Sequence, residues 1–201
     1  MSLPTPKTSP AFSLCVYCGS RDGEDPRFAQ VATEVGTWIG HHGGQLVYGG
    51  GRNGLMGRVA QATLAAGGTV VGIIPTALMD MEVAHHGLTE LHVVDTMHER
   101  KRMMAERADA FLALPGGIGT FEELFEVWTW RQLGYHDKPI GILNTAGYYD
   151  SLLAFITQVT HKGFMGAWQT ELVTVSIEAS ALLQALVQEG GLTQPDQLSQ
   201  L

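Results

Sequence analysis

Short β-branched runs separated by stretches of helix length recur along almost the whole chain, and this alternation narrows the fold more than any other feature. The runs FSLCVY (12–17), QLVYG (45–49), TVVGIIP (69–75), LHVVD (91–95), AFLALP (110–115), PIGIL (139–143) and LVTVS (172–176) read as strands. Between most of them lie helical stretches at 26–40, 55–66, 97–107, 120–133, 148–161 and 178–189. Strand, helix, strand, repeated, implies a mainly parallel sheet covered on both faces. The near-continuous apolarity of the runs fits burial on both sides. The expectation is an α/β protein with a doubly wound sheet of about seven strands.

No fixed-period repeat or internal linker interrupts this pattern, so one domain is expected over 12–190. A disordered leader over 1–11 and a mobile polar tail over 191–201 complete the expectation. The start, MSLPTPKTSPAF, has Pro and Thr where a signal peptide needs an apolar core, and no segment reaches the roughly 18 apolar residues of a membrane helix. A cytoplasmic protein without membrane contact follows as an expectation. The net charge of −8 argues against nonspecific binding to nucleic acid. An anion site in such a chain must be a local basic cluster working against the overall charge.

Cys15 and Cys18 form a CxxC, the spacing of thioredoxin-like redox pairs. The stretch FSLCVYCGS around them reads as extended, where residues three apart point to opposite faces, so a redox role is not expected. The eight histidines include the adjacent pairs His41–His42 and His85–His86, but no HExxH or zinc-type Cys/His spacing. They read as surface loop residues, and no metal or cofactor is expected.

In a parallel sheet all strand carboxyl ends face one side, where ligands bind in open α/β folds. Four loops there carry unusual chemistry: CGSRDG (18–23), YGGGRNGLMG (48–57), DTMHERKR (95–102) and PGGIGTFEE (115–123). The stretch 76–90 is the longest without clear periodicity and follows a strand end, which marks it as a candidate functional loop. The two glycine-rich loops allow sharp turns and close approach of backbone amides to an anion, and a helix start adds unpaired N–H groups. Tight turns alone would also explain the glycines. GGGRNG fits GxGxxG only as Gly49, Gly51 and Gly54, with no convincing ribose acid about 20 residues on, and GGIGT lacks the GK[ST] ending of an NTPase loop. Hydride transfer and ATP hydrolysis are therefore disfavoured.

Arg100, Lys101, Arg102 and Arg107 concentrate four of the chain's 12 basic residues in eight positions. Consecutive residues in a helix are about 100° apart, so one or two can look inward while the others stay in water. Glu122 and Glu123 follow the last glycine loop. Thr120 to Glu123 spells T-x-x-E, a capping box, which alone could account for Glu123. The alternative is a ligand with an anionic end and a centre that develops positive charge, such as a ribose 5′-monophosphate losing its base. Leu124, Phe125, Trp128, Trp130 and Leu133 make the same helix unusually apolar, so both of its faces are expected to be buried.

MHERK (97–101) with PGGIGTFEE (115–123) resembles the paired signatures of the Lonely-guy (LOG) family of phosphoribohydrolases, long mislabelled lysine decarboxylases. The likeness extends through CVYCGS, YGGGRNGLMG, EVAHHGLTEL and HDKPIGILNTAGYYDSLL, about 15 to 155. It implies a Rossmann-like homodimer that hydrolyses the N-glycosidic bond of cytokinin riboside 5′-monophosphates, and often AMP, to free base and ribose 5-phosphate. By the same resemblance Arg100 and Glu123 match the catalytic pair, and Glu82, Lys101, the run Gly117, Ile118, Gly119, Thr120, Phe121, Glu122, and Thr129 match substrate contacts. Gly116 joins the amide cradle, and Gly19, Ser20, Gly50 and Gly51 are further substrate-binding candidates from the other glycine-containing loops. A guanidinium does not give up its proton, so Arg100 suits orientation better than acid catalysis. The rival reading is a nucleotide or molybdenum-cofactor carrier of the same superfamily that binds without turnover. A second rival, a pyridoxal-phosphate decarboxylase, needs a Schiff-base lysine, for which Lys7, Lys101, Lys138 and Lys162 are the candidates.

Overall fold

The computed structural model describes residues 9–79 and 85–191. Seven strands form one sheet: β1 (Ser13–Tyr17), β2 (Gln45–Tyr48), β3 (Thr69–Pro75), β4 (Glu90–Val94), β5 (Ala110–Ala113), β6 (Ile140–Leu143) and β7 (Val173–Ser176). Their order is β4-β3-β2-β1-β5-β6-β7, and every pairing is parallel. The helices are α1 (Pro26–His41), α2 (Gly54–Ala65), α3 (Met97–Glu106), α4 (Ile118–Gln132), α5 (Asp150–His161), α6 (Ala167–Thr170) and α7 (Ala179–Gly190). The architecture is doubly wound and Rossmann-like. The strand order reverses between β1 and β5, which opens a crevice at their carboxyl ends.

Side chains alternate across each strand and so feed two cores. Leu14, Val16, Leu46, Val70 and Leu112 meet α1, α2 and α7 through Val35, Ile39, Val59 and Leu183. Cys15, Tyr17, Val47, Val71, Phe111 and Ile142 point the other way, onto Met104 of α3, Leu124 and Trp128 of α4, and Ile156 of α5. Each such residue, fully withdrawn from water, contributes about 1.5–3 kcal/mol of transfer free energy. The central strands are buried along their length, whereas the edge strands β4 and β7 are half-covered. This explains why the central runs are the more continuously apolar.

Cys15 and Cys18 are free, buried and assigned to opposite cores. Burial raises the pKa of both thiols, so neither is a ready nucleophile.

Three expectations need correction. Helix α4 begins at Ile118, two residues before the sequence reading, because extended Gly117 is its N-cap. Its outer face is not covered within one chain: Phe125 is 36% and Leu133 62% exposed, while Leu124, Val127 and Trp128 are buried. A further single-turn helix, α6, lies before β7 and is too short to leave a periodic signal. Residues 1–8 of the expected leader, residues 80–84 of the long loop, and residues 192–201 of the expected tail lie outside the described residues. Among the described residues no helix is long and apolar enough to cross a membrane.

Candidate active site

The loops after β1 and β5 meet at the strand-order reversal. Gly19 N–H donates to the Pro115 carbonyl at 3.0 Å. A methyl group on Gly116 would lie 2.1 Å from Thr120 Oγ1 and 2.8 Å from Gly19 N, so the backbones approach as only glycine allows. Met56 N–H reaches back to the Gly19 carbonyl at 3.3 Å, joining the first turn of α2 to the same corner.

The first intrahelical bond of α4 runs from Phe121 N–H to the Gly117 carbonyl, at 3.1 Å. The amides of Gly117, Ile118, Gly119 and Thr120 therefore make no intrahelical bond and sit at the positive end of the helix dipole. Thr120 and Glu123 both lie inside the helix, and its N-cap is Gly117, so the T-x-x-E run does not form a capping box with Thr120 as the N-cap.

A cavity of about 290 Å³ opens beside these amides. Gly117, Ile118, Gly119 and Thr120 line it together with Glu122, Glu123, Arg100, Gly19 and Ser20. An adjoining cavity of about 430 Å³ shares Gly19, Ser20 and Gly117 and continues past Gly116 to Phe28 and Tyr148. The sequence reading thus brings most of its candidates to one place.

The basic cluster divides as helix geometry requires: Arg100 and Lys101 are buried, and Arg102 and Arg107 are exposed. Helix α3 starts at an N-cap where Thr96 Oγ1 accepts from Glu99 N–H at 3.1 Å, which directs Arg100 inward one turn later. The Arg100 guanidinium donates from Nε to the Ile73 carbonyl at 3.2 Å and from Nη2 to the Gly49 carbonyl at 2.9 Å. Charge-assisted bonds to backbone carbonyls of the β2 and β3 ends hold the cation at the cavity wall.

Lys101 does not line the cavity. Its Nζ donates to Glu122 and, at 2.9 Å, to Glu126, joining α3 to α4. Burial alone would lower its pKa, but these two carboxylates outweigh the burial and raise it. Lys101 thereby holds Glu122 at the cavity rim. Lys138 is also buried and gives its Nζ to the Ala105 carbonyl at 2.9 Å, closing the end of α3. Lys162 is exposed, and Lys7 lies outside the described residues. No described lysine faces the cavity as a Schiff-base nucleophile would.

Other candidates fall elsewhere. Gly50 and Gly51 are buried but do not line the cavity; the Gly50 carbonyl accepts from His85 N–H at 3.0 Å. Thr129 is exposed, and at about 100° per residue it shares a face of α4 with Ile118 and Phe125. Glu82 lies outside the described residues. Residues not expected at a site complete the wall: Val16, Cys18, Gly49, Met56, Leu78 and Met97. Each sits near a strand's carboxyl end, in the loop that follows or in the first turn of the next helix, and no pattern along the chain marks it as a site residue. His41, His42 and His86 are exposed, as expected of surface histidines, whereas His136 is buried against the Val127 carbonyl and departs from that expectation.

The chain is similar to several known proteins. A family model described as "Possible lysine decarboxylase" matches residues 56–186. A cytokinin riboside 5′-monophosphate phosphoribohydrolase of Rhodococcoides fascians is 52% identical over 163 residues, 81% of this chain and 80% of that protein. One from Arabidopsis thaliana is 45% identical over 173 residues, 86% of this chain and 81% of that protein. Among solved structures, the molybdenum cofactor binding protein of Rippkaea orientalis superposes with a TM-score of 0.68, covering 91% of this chain and 98% of that one. At 18% identity that likeness shows a shared fold alone.

Proposed function

Because the chain belongs to the Lonely-guy (LOG) family of cytokinin riboside 5′-monophosphate phosphoribohydrolases, we propose that it cleaves purine riboside 5′-monophosphates, of cytokinin type or AMP, to free base and ribose 5-phosphate. The observation that carries this reading is the joint presence, in one cavity, of four helix-start amides, the Arg100 guanidinium and the Glu123 carboxylate. The 5′-phosphate binds the amides of Gly117 to Thr120, with Arg100 alongside. Glu123 then faces the ribose. As the C1′–N bond breaks, the electron pair leaves with the base and positive charge grows over C1′ and the ring oxygen. The Glu123 carboxylate stabilises that charge and takes a proton from the water that forms the new C1′–O bond. The departing base gains a proton. Arg100 orients the phosphate or Glu123 and remains charged throughout. Glu82, from the long loop, would contact ribose or base.

A carrier needs the anion cradle but not the carboxylate, so the Arg100–Glu123 arrangement favours turnover over binding alone. A pyridoxal-phosphate decarboxylase is disfavoured by the commitment of both buried lysines to other partners. The deciding experiment incubates the protein with AMP and with isopentenyladenosine monophosphate and chromatographs for free base. Glu123→Gln keeps size and removes charge; kcat is expected to fall roughly 10²–10³-fold with the fold retained. Near-full turnover by that variant would refute the assignment. Binding of both nucleotides without base release by the wild type would favour the carrier.

We further propose a cytoplasmic homodimer. The exposed apolar residues Ile118 and Phe125 on the outer face of α4 suit a second copy, and two buried free thiols suit a reducing compartment. Phe125→Glu with sedimentation analysis tests the dimer: a dimer that persists unchanged would exclude this face.

A further inference from the structure

The segment NTAGYYDSLL follows β6 and contributes no group to the cavity of Arg100 and Glu123. It nevertheless reaches the phosphate loop twice. Tyr149 is buried, and its hydroxyl donates to the Leu114 carbonyl at 2.7 Å. Tyr148 Oη donates to the carbonyl of Gly116, one residue before the N-cap of α4.

These rings are themselves fixed. Asn144 Oδ1 accepts from Tyr149 N–H at 2.8 Å, and Asn144 Nδ2 donates to Asp150 Oδ1 at 2.7 Å, locking the corner between β6 and α5. The Tyr148 ring meets Phe28 of α1 edge-on at 5.5 Å and Tyr149 edge-on at 5.0 Å. Its orientation is set by aromatic contacts on two sides, so its hydroxyl arrives at Gly116 with little freedom.

The geometry of one peptide unit gives this contact its significance. In a trans peptide the carbonyl and the following N–H point in opposite directions within one plane. Holding the Gly116 carbonyl toward Tyr148 therefore aims the Gly117 N–H away from it. Gly117 is one of the three residues shared by the two cavities, and a methyl placed on it would have nothing within 4 Å. Packing against Thr120 and Gly19 holds Gly116, but the open space at Gly117 leaves the peptide between them dependent on a bond to its carbonyl for a fixed tilt.

We propose that Tyr148, backed by Tyr149, is a positioning residue that fixes the Gly116–Gly117 peptide so that its N–H is aimed at the substrate phosphate. The inference rests on the phosphate-cradle reading above. It assigns to the tyrosine pair a task separate from bond cleavage: Tyr148 acts on affinity for the anionic end and not on the chemical step.

The test measures inorganic phosphate binding and AMP kinetics for wild type and Tyr148→Phe. The substitution removes one oxygen from a half-exposed ring. We expect phosphate affinity to weaken roughly three- to tenfold, the effect of one well-placed hydrogen bond, with KM for AMP rising in step. kcat and adenine binding should stay nearly constant. Phe28→Leu, which loosens the ring but keeps the hydroxyl, should weaken phosphate binding in the same direction by less. Equal phosphate affinity in wild type and Tyr148→Phe overturns the proposal, as does a matching loss of adenine affinity, which would mean general damage. If the wild type itself binds no phosphate, the cradle reading fails first and the inference falls with it.

Discussion

Two loops of this protein have nearly the same composition and opposite physical roles. The loop after β2, YGGGRNGLMG, uses its glycines to let protein approach protein. A methyl on Gly49 would meet the Arg100 guanidinium at 2.1 Å, one on Gly54 would meet Arg21 N at 2.3 Å, and one on Gly57 the Arg52 carbonyl at 1.9 Å. The loop after β5, PGGIGT, packs only its first glycine in this way. Gly117 and Gly119 have nothing within 4 Å of an added methyl, and their amides precede the first helical hydrogen bond. A run of glycines is therefore not in itself a ligand site. The loop suited to a ligand is the one whose glycines keep open space and uncommitted donors.

The largest expected effect follows from the packed loop. Gly49→Ala cannot be accommodated without moving the Arg100 guanidinium or the Gly49 backbone that accepts its bond. Overpacking there is expected to destabilise the fold by about 2–3 kcal/mol. Displacing the cation should also lower kcat/KM for AMP roughly 100-fold. Denaturant titration and steady-state kinetics on the same preparation check both. Wild-type values for either would show that the β2 loop does not hold Arg100 in place.

The contrast also shows what a sequence can disclose. All seven strands were legible, because burial on both faces makes each a compact apolar run. Arg100 was legible as an inward residue from the 100° step between neighbours, and Gly117 to Thr120 from a glycine run opening a helix. The T-x-x-E pattern left two readings of Glu123 open, because local sequence does not reveal that Gly117 is already extended and starts the helix before Thr120. Gly50 was chosen for its loop; its left-handed φ of +79° and the bond its carbonyl accepts from His85 N–H are features of the turn that the sequence does not disclose. Met56, Leu78 and Met97 were invisible as site residues, since an apolar wall is made by strands meeting in space and leaves no pattern along the chain.

A second contrast runs along α4, whose start has uncommitted donors while its far end is fully engaged. Past that end, His136 Nδ1 accepts from Lys138 N–H at 3.1 Å, so the proton sits on Nε2 and is donated to the Val127 carbonyl at 2.9 Å. Burial holds the imidazole neutral and lowers its pKa from 6.5 to about 4. The unfolded chain then binds the proton more readily than the folded one. The stabilisation from neutral His136 is fully present above pH 6.5 and is lost as pH falls toward 4. The loss amounts to about 3 kcal/mol across that window. His136→Gln retains a donor for Val127 and cannot titrate, so its stability should be flatter over the same range. Chemical denaturation at pH values above and within the window decides the matter. An unchanged slope in the variant would mean that another group controls acid sensitivity.

The smallest effect is the sharpest test of the two-loop comparison, because stability and affinity should move in opposite directions. Gly119 lies in the first turn of α4 with open space beside it. Alanine is the better helix former, so Gly119→Ala should stabilise the protein by about 0.5 kcal/mol, somewhat less than the full helix-interior difference. The added methyl projects into space that the cavity supplies to the ligand, so phosphate affinity should weaken roughly threefold, a change of similar size and opposite sense. A glycine retained for folding would instead lose both quantities together, as expected at Gly49. If Gly119→Ala is stabilised and binds phosphate as tightly as the wild type, the open space beside α4 is not ligand space. The distinction between packed and open glycines would then describe the turn geometry alone.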